Sequence, residues 1–491
     1  MKKILYYLSF VLSISSCVNL DDNLEDKIPY DKFPENENQS ALMIGSVYTP
    51  MKDFLDNGGW WFCQELTSDE VVCPTRHTDW DDGGKWRVLY QHTWDNNTEA
   101  INNMWSRFYS GVGQANYWIE FFAPTAETEA GATTIAKLKI MRAYYYYLLI
   151  DNYGDVPYVT QYAGADQQPQ KTARAVIFQN IVNEINESIP YLTSSTSKTA
   201  VTKGMAYSLL AKLYLNAKVY AGVTRWDSAG FACDSVIALN QYSLEADPLA
   251  PFVTDNSASS ENIFTIPYDE DTYTGFNLHM RTLHYNSNLT FDMTVGPWNG
   301  FAITEQHYNT YASNDKRKDG YFLVGQQYTS SGQPITDAVA DAPLVFDPYI
   351  PALVMDASYT PEEIRMSGVR VKKFEIKLGA KENLSNDFPI FRYADILLMK
   401  AEAMVRQGYN GDEWINPIRE RAGLDDITDA TLDDILAERG RELFWEAHRR
   451  QDLIRFDKFN KAWWEKTADD ASRRTFPIPQ WVIDTNPNLA K

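Results

Sequence analysis

Cysteine is scarce in this 491-residue chain: the four are Cys17, Cys63, Cys73 and Cys233, and no two stand at CxxC spacing. So few exclude a dense disulfide framework, although a single Cys63–Cys73 bridge stays open. The six histidines, His77, His92, His279, His284, His307 and His448, form no HExxH pattern, which removes the usual zinc-protease signature. A glycine-rich phosphate loop and a GxSxG nucleophile elbow are also missing. No cofactor and no metal site is therefore expected. Positive charge is in deficit, with 45 Lys+Arg against 66 Asp+Glu and a net charge of −21, so nucleic acid and anionic lipid surfaces repel the chain. Beyond the first residues no apolar run approaches the roughly 18 residues that a membrane-spanning helix needs.

What is present begins at the N-terminus. Lys2 and Lys3 precede a short apolar run that ends at Ser15, Ser16 and Cys17, the charge order and length of a secretory signal. A cysteine directly after small residues resembles a bacterial lipoprotein signal. It implies that residues 1–16 are removed and that Cys17 becomes a lipid-modified N-terminus. Loss of Lys2 and Lys3 then moves the net charge from −21 to −23, leaving lipid rather than charge to hold the protein at a membrane. Residues 17–31, with Asp21, Asp22, Glu25 and Asp26 and no apolar period, read as an acidic tether. The remaining 32–491 is long enough to bury a large core.

That body reads as mainly α-helical, with a few short strands. Residues 32–239 carry helical periods. Ile140, Ala143, Tyr144, Tyr147 and Leu148 recur at helical spacing, and Gly154 with Pro157 ends that helix. The run Tyr144 to Tyr147 points around a helix, which favours packing over a binding comb. Residues 203–220, a turn at 222–226 and a second helix at 227–239 make a hairpin the size of a tetratricopeptide repeat. A similar hairpin spans 394–403 and 412–421, and helices near 178–191 and 432–458 extend the array. Residues 240–386 differ, being rich in Tyr, Asn, Asp, Gly and Pro. They read as loops and short strands on a helical frame, where binding residues concentrate. Residues 387–491 return to helical periods.

The charged stretch 438–450 has an apolar stripe of Leu436, Leu443, Ala447 and Ile454. Glu446 and Arg450 stand at ion-pair spacing, so it reads as structural rather than catalytic. Carboxylate pairs at Asp81-Asp82 and Asp269-Glu270-Asp271 keep a glycoside hydrolase open as an alternative, because acid and nucleophile are set by separation in space. Asp79, Asp81 and Asp82 before Gly83-Gly84 fit a turn better than a calcium loop. The chain is 14% aromatic, with 30 Tyr and 14 Trp; such side chains offer a flat apolar face and a polar edge, which suits the two-sided surface of a sugar ring. Two loops concentrate them: Trp80 and Trp86 flank the 81–84 turn, and Tyr285 and Trp298 bracket a second loop. Trp80, Trp86, Tyr285 and Trp298 are the candidate platforms, with Asp81, Arg87 and Asn299 as partners for sugar hydroxyls.

Four ordered motifs then carry a resemblance: LLIDNYGDVPY at 148–158, FRYADILLMKAEA at 391–403, the stretch 438–456, and FPIPQ at 476–480 with NPNL at 486–489. Together with Cys17 they make the chain similar to the SusD/RagB family of outer-membrane nutrient-binding lipoproteins. The resemblance implies one mainly helical body in which tetratricopeptide-like hairpins support a loop-rich ligand half. It implies a surface-exposed, lipid-anchored protein that captures oligosaccharides without cleaving them and delivers them to a SusC-like TonB-dependent transporter. The competing readings are a secreted glycoside hydrolase and a repeat scaffold without a sugar site.

Overall fold

The computed structural model describes residues 37–56, 59–193 and 195–490; the signal 1–16, Cys17 and the tether 17–31 lie outside these. Helix α1 (Glu37–Lys52) is the first among the described residues, and from Ile44 onward the chain forms one compact unit. Short helices α2 (Trp60–Glu65) and α3 (Lys85–Tyr90) precede the two longest, α4 (Glu99–Phe122) and α5 (Glu129–Tyr153). Thr128 caps α5 by accepting the Gly131 N–H, and Gly154, at φ 77°, ends it, as a residue free of a Cβ can. Gly111 lets α4 approach closely, since a Cβ there would stand 2.3 Å from the Tyr145 ring.

Tyr144, Tyr145, Tyr146 and Tyr147 are all buried, so the tyrosine run is packing. From Ile140 to Tyr153 α5 is buried on every side, as expected of a helix segment without a solvent face. Three of the hydroxyls find partners outside the helix: Tyr145 donates to the Val47 carbonyl at 2.6 Å and Tyr146 to that of Val159 at 2.8 Å. Tyr147 accepts from the Gln451 amide at 2.8 Å.

Helices α6 (Arg174–Ser188), α7 (Lys203–Leu215), α8 (Trp226–Ala238), α9 (Tyr393–Arg406), α10 (Asp412–Ala422) and α11 (Leu432–Glu442) follow. α7 pairs with α8 and α9 with α10, and α8 packs on α9, so the two expected hairpins stack although the whole loop-rich segment separates them in sequence. The expected helix over 432–458 is two: α11 ends at Glu442 and α12 (Arg449–Arg455) starts afresh. Between them Trp445 and Ala447 take positive φ, 69° and 65°. The break lets the Trp445 carbonyl accept from the Trp61 indole and the Ala447 N–H donate to Glu65. The expected Glu446–Arg450 ion pair does not form. Glu446 is buried against Lys373 and Arg392, while Arg450 donates to the Arg474 carbonyl and lies over Phe476.

The loop-rich segment is pinned to these helices by charge. Arg392 of the 391–403 motif binds Glu261, Glu442 and Glu446; Arg421 binds Glu261 and Glu442; Arg317 binds Asp315, Glu438 and Glu442. Each of these side chains is at most 5% exposed. Removing one partner would leave charge uncompensated in a dry interior. Asp395 of the same motif is held by Lys212 and Arg439, which joins the two hairpins. Cys63, Cys73 and Cys233 are buried thiols without bridges.

Strands are short: β1 (Val71–Val72), β2 (Thr75–Arg76), β3 (Asn262–Ile266), β4 (Ala302–Ile303), β5 (Val354–Met355) and β6 (Phe388–Arg392) matter here. β3 and β6 form the longest ladder, antiparallel. β1 pairs with β4 in antiparallel register, Val71 opposite Ile303, and β2 runs parallel to β5, Thr75 opposite Val354. Residues 71–76 are thereby clamped between two distant loop segments. That clamp positions the candidate site.

Candidate functional site

The two aromatic loops, some two hundred residues apart in sequence, meet. The Trp80 indole N–H donates to the Trp298 carbonyl at 2.7 Å. The Tyr285 hydroxyl donates to the carboxylate of Asp79. Trp80 sits at φ 60°, a left-handed conformation that is a genuine outlier for a bulky side chain. His77 at 63°, Asp82 at 42° and Asn299 at 55° share this strain in the same two loops. Such residues persist only where surrounding structure fixes them, and they gather at binding and catalytic sites.

What fixes Trp80 is packing as well as its hydrogen bond. Gly300 lies under the ring, where a Cβ would come within 2.3 Å of Trp80 Cε2. Phe301 meets the ring edge-on at 5.4 Å. Trp80, Tyr285 and Trp298 nonetheless remain half-buried rather than enclosed. Arg365 lies 4.8 Å from the Tyr285 ring centroid and Arg281 lies 5.3 Å from that of Trp298. Asp81 and Arg87 pair at 2.8 Å, with the Asp81 side chain 50% exposed and that of Arg87 22%, so Asp81 still meets solvent while Arg87 mainly orients it.

Two of the expected contact residues are structural. Trp86 is 2% exposed, packed against Phe62 and Phe301, with its N–H donated to Asp82; α3 turns its ring inward. Asn299 is fully buried, its amide oxygen accepting from Arg370 at 2.8 Å and its NH2 donating to the Arg365 carbonyl at 3.0 Å, so neither group can reach a ligand. Beneath the wall, burial pushes the Arg76 guanidinium down to about 10 and holds that of Arg370 well below the ordinary arginine range. Both are anchored on loop carbonyls, Arg76 on Ile364 and Ser367 and Arg370 on Ser367 and Gly368. They hold the C-terminal end of the short helix Pro361–Met366 that carries Arg365.

The carboxylates named as alternatives are engaged in structure. Asp79, Asp81 and Asp82 bind Tyr285, Arg87 and Trp86, which makes the 79–84 segment a turn held by its own neighbours. Asp269 closes a turn with Thr272, and Glu270 and Asp271 pair with Lys377 and Lys381. Asp79 and Arg365 belong to the aromatic wall but were missing from the sequence-derived set. Asp79 adjoins Trp80 and was within reach of sequence reasoning; Arg365 has no local signal, since only the fold brings it to Tyr285. A cavity of about 400 Å³ lies elsewhere, between α4, the 157–169 segment and Val482 to Leu489. Three of its lining polar groups serve the backbone, Tyr109 donating to Pro157, Asn116 to Val159 and Asn486 to Pro169, in a mainly apolar hollow.

Two family models match the chain: the SusD family over residues 260–491, and a model described as starch-binding associating with outer membrane over residues 26–215. The chain belongs to the SusD/RagB family. Among its relatives, the starch-binding protein SusD of Bacteroides thetaiotaomicron is 24% identical, over 87% of this chain and 84% of its own length. SusD-like protein P25 of Formosa agariphila is 21% identical over 99% of this chain and 98% of its own. Solved structures share the fold. A SusD superfamily protein from Parabacteroides distasonis superposes with a TM-score of 0.74 at 20% identity, covering 92% of this chain and 98% of that one. Surface glycan-binding protein A from Bacteroides thetaiotaomicron, in complex with laminarihexaose, gives 0.72 at 21% identity, covering 91% and 97%. The mainly helical architecture with short strands is thus the SusD-like fold, and its motifs 148–158 and 391–403 lie in buried helix junctions, away from the aromatic wall.

Proposed function

We propose that this SusD/RagB chain is a non-catalytic cell-surface protein that captures an oligosaccharide on the wall formed by Trp80, Tyr285 and Trp298 and delivers it to a SusC-like TonB-dependent transporter. The observation that carries this reading is Trp80. A bulky residue held at positive φ, pinned by the Trp298 carbonyl and seated on Gly300, is pre-organised to present an indole. Sugar rings offer C–H faces to such a surface and hydroxyls to its edge, where Asp79, Asp81 and Arg365 supply acceptors and a donor. Pre-organised aromatics lose little conformational freedom on binding. Relatives named for starch and for glycan binding support the class of ligand. Binding without cleavage fits carboxylates already committed to Tyr285 and Arg87. Lipid attachment at Cys17 would keep the protein at the outer surface of the outer membrane, where a tether raises its concentration beside the transporter.

Calorimetric titration with a panel of neutral oligosaccharides tests the reading. Binding to at least one, weakened tenfold or more by Trp80→Ala or Trp298→Ala without loss of fold, is expected. Unchanged affinity in both variants would remove the assigned wall. Cells carrying Cys17→Ala and lacking the partner barrel should lose the protein from their outer-membrane fraction, and retention there would overturn the lipid anchor.

A further inference from the structure

Beyond α3 lies another cavity, of about 160 Å³, lined by Asp69, Gln306, His307, Arg449, Trp463 and Trp464 among others. That is several times the roughly 30 Å³ of one water molecule and gives room for one sugar ring. The two adjacent indoles stand on a rigid turn. The Trp463 N–H donates to the Lys466 carbonyl at 3.1 Å and the Lys466 N–H returns to Trp463 at 3.0 Å, with Glu465 at φ 57°. The Lys466 ammonium ties the turn to the carbonyls of Lys461 and Thr467. From α3, the Tyr90 hydroxyl donates to the Trp464 carbonyl at 2.8 Å and the Gln91 amide to that of Glu465 at 3.2 Å.

Both indoles are half-buried, and the Trp463 indole N–H is enclosed with no acceptor among the described residues. Burying such a donor without a partner is unfavourable, and a ligand oxygen would relieve it. Opposite, Asp69 takes two bonds from Arg449, at 2.7 and 2.9 Å, and its side chain is 33% exposed. Their charges cancel, which favours a neutral ligand over an anion. Gln306 is exposed at the rim. Phe301 packs on Trp80 and Thr304 lines this cavity, three residues or roughly 10 Å further along the extended chain.

We propose that this cavity is a second saccharide subsite, in which a neutral pyranose ring lies against Trp464 and directs hydroxyls to Asp69 and Gln306. It rests on the glycan-binding reading given above, but its residues are separate from that wall. The test uses the mature chain with 15N-labelled indoles, titrated with neutral gluco-, manno-, galacto- and xylo-hexaoses, laminarihexaose among them. One of these is expected to shift the indole resonances of Trp463 or Trp464 as well as that of Trp80. Trp464→Ala should weaken binding at least threefold, and Gln306→Ala, at an exposed position that disturbs no packing, should do so in a smaller measure. Shifts at Trp80 alone, with both variants binding as the wild type does, would overturn the second subsite and leave the first wall standing. Shifts at Trp463 or Trp464 without Trp80 would keep the subsite and refute the wall. No shift at any of the three across the panel would refute both.

Discussion

Gly300→Ala isolates the contact on which the aromatic wall depends. A Cβ at this position would stand 2.3 Å from Trp80 Cε2 and 2.6 Å from both Cδ2 and Cζ2, and its three nearest atoms all belong to that ring. Carbon atoms pack comfortably at about 3.5–4.0 Å, so the indole must retreat by roughly 1.2 Å or more. That motion stretches the 2.7 Å hydrogen bond from Trp80 to the Trp298 carbonyl past useful length. Overpacking of this kind costs about 1–3 kcal/mol and the lost hydrogen bond about 1 kcal/mol, for a destabilisation of about 2–4 kcal/mol. In a Trp80→Ala background the obstacle is gone. The new methyl should then be neutral or gain about 0.4–1 kcal/mol by restricting the unfolded chain. Urea unfolding of wild type, both single variants and the double variant measures the coupling, which should fall near 2–4 kcal/mol. Glycan affinity of Gly300→Ala should drop tenfold or more, since each 1.4 kcal/mol of lost complementarity is a factor of ten. If Gly300→Ala costs the same stability in both backgrounds, the steric argument is wrong and the wall is not held from beneath.

Trp86→Ala should lower stability by about 3–5 kcal/mol through a core cavity, whereas Trp80→Ala should act mainly on binding; thermal unfolding beside calorimetry separates the two. Arg392→Met removes the one cation shared by Glu261, Glu442 and Glu446 and leaves Arg421, Arg317 and Lys373 to offset an excess of buried carboxylate; it should cost about 3–5 kcal/mol, read by urea unfolding, while the aromatic wall keeps its indole resonances if any folded protein remains. Stability should fall with acid in two stages. Burial pushes His279 and His284 down to about 4 from an ordinary 6.5, so the unfolded chain takes up their protons first and stability declines from pH 6.5 towards 4. Burial alone would raise Glu438, but Arg317 and Arg441 hold it at about 2 against an ordinary 4.5, so its contribution is present above pH 4.5 and is lost as pH falls towards 2. Melting temperature measured from pH 7 to 3 should drop from near pH 6.5 and steepen below 4.5; a flat profile between 6.5 and 4.5 would contradict the histidine burial.

Local patterns determined much of this protein. Helical spacing located α5, the α7/α8 and α9/α10 hairpins and the burial of the tyrosine run, because a 3.6-residue period and its caps are properties of neighbouring residues. The motifs around Asp151 and Arg392 were legible as ordered local strings, and in the structure both residues are buried at helix junctions, Asp151 on Tyr220 and Gln451 and Arg392 on three glutamates. Composition around Trp80 and Trp298 also singled out two loops worth watching. Tertiary structure alone decided the rest. That the two loops share a hydrogen bond, that Trp86 and Asn299 are buried while Trp80 stays half-buried, and that Arg365 lies on Tyr285 all depend on the β1–β4 and β2–β5 clamps. These clamps pair residues hundreds of positions apart. The continuous helix expected over 432–458 failed similarly. Its apolar period was real, but burying Glu446 against Lys373 and Arg392 outweighed the helix it interrupts. Periodicity reports what a segment can form alone; long-range hydrogen bonds and buried charge decide which way its side chains point.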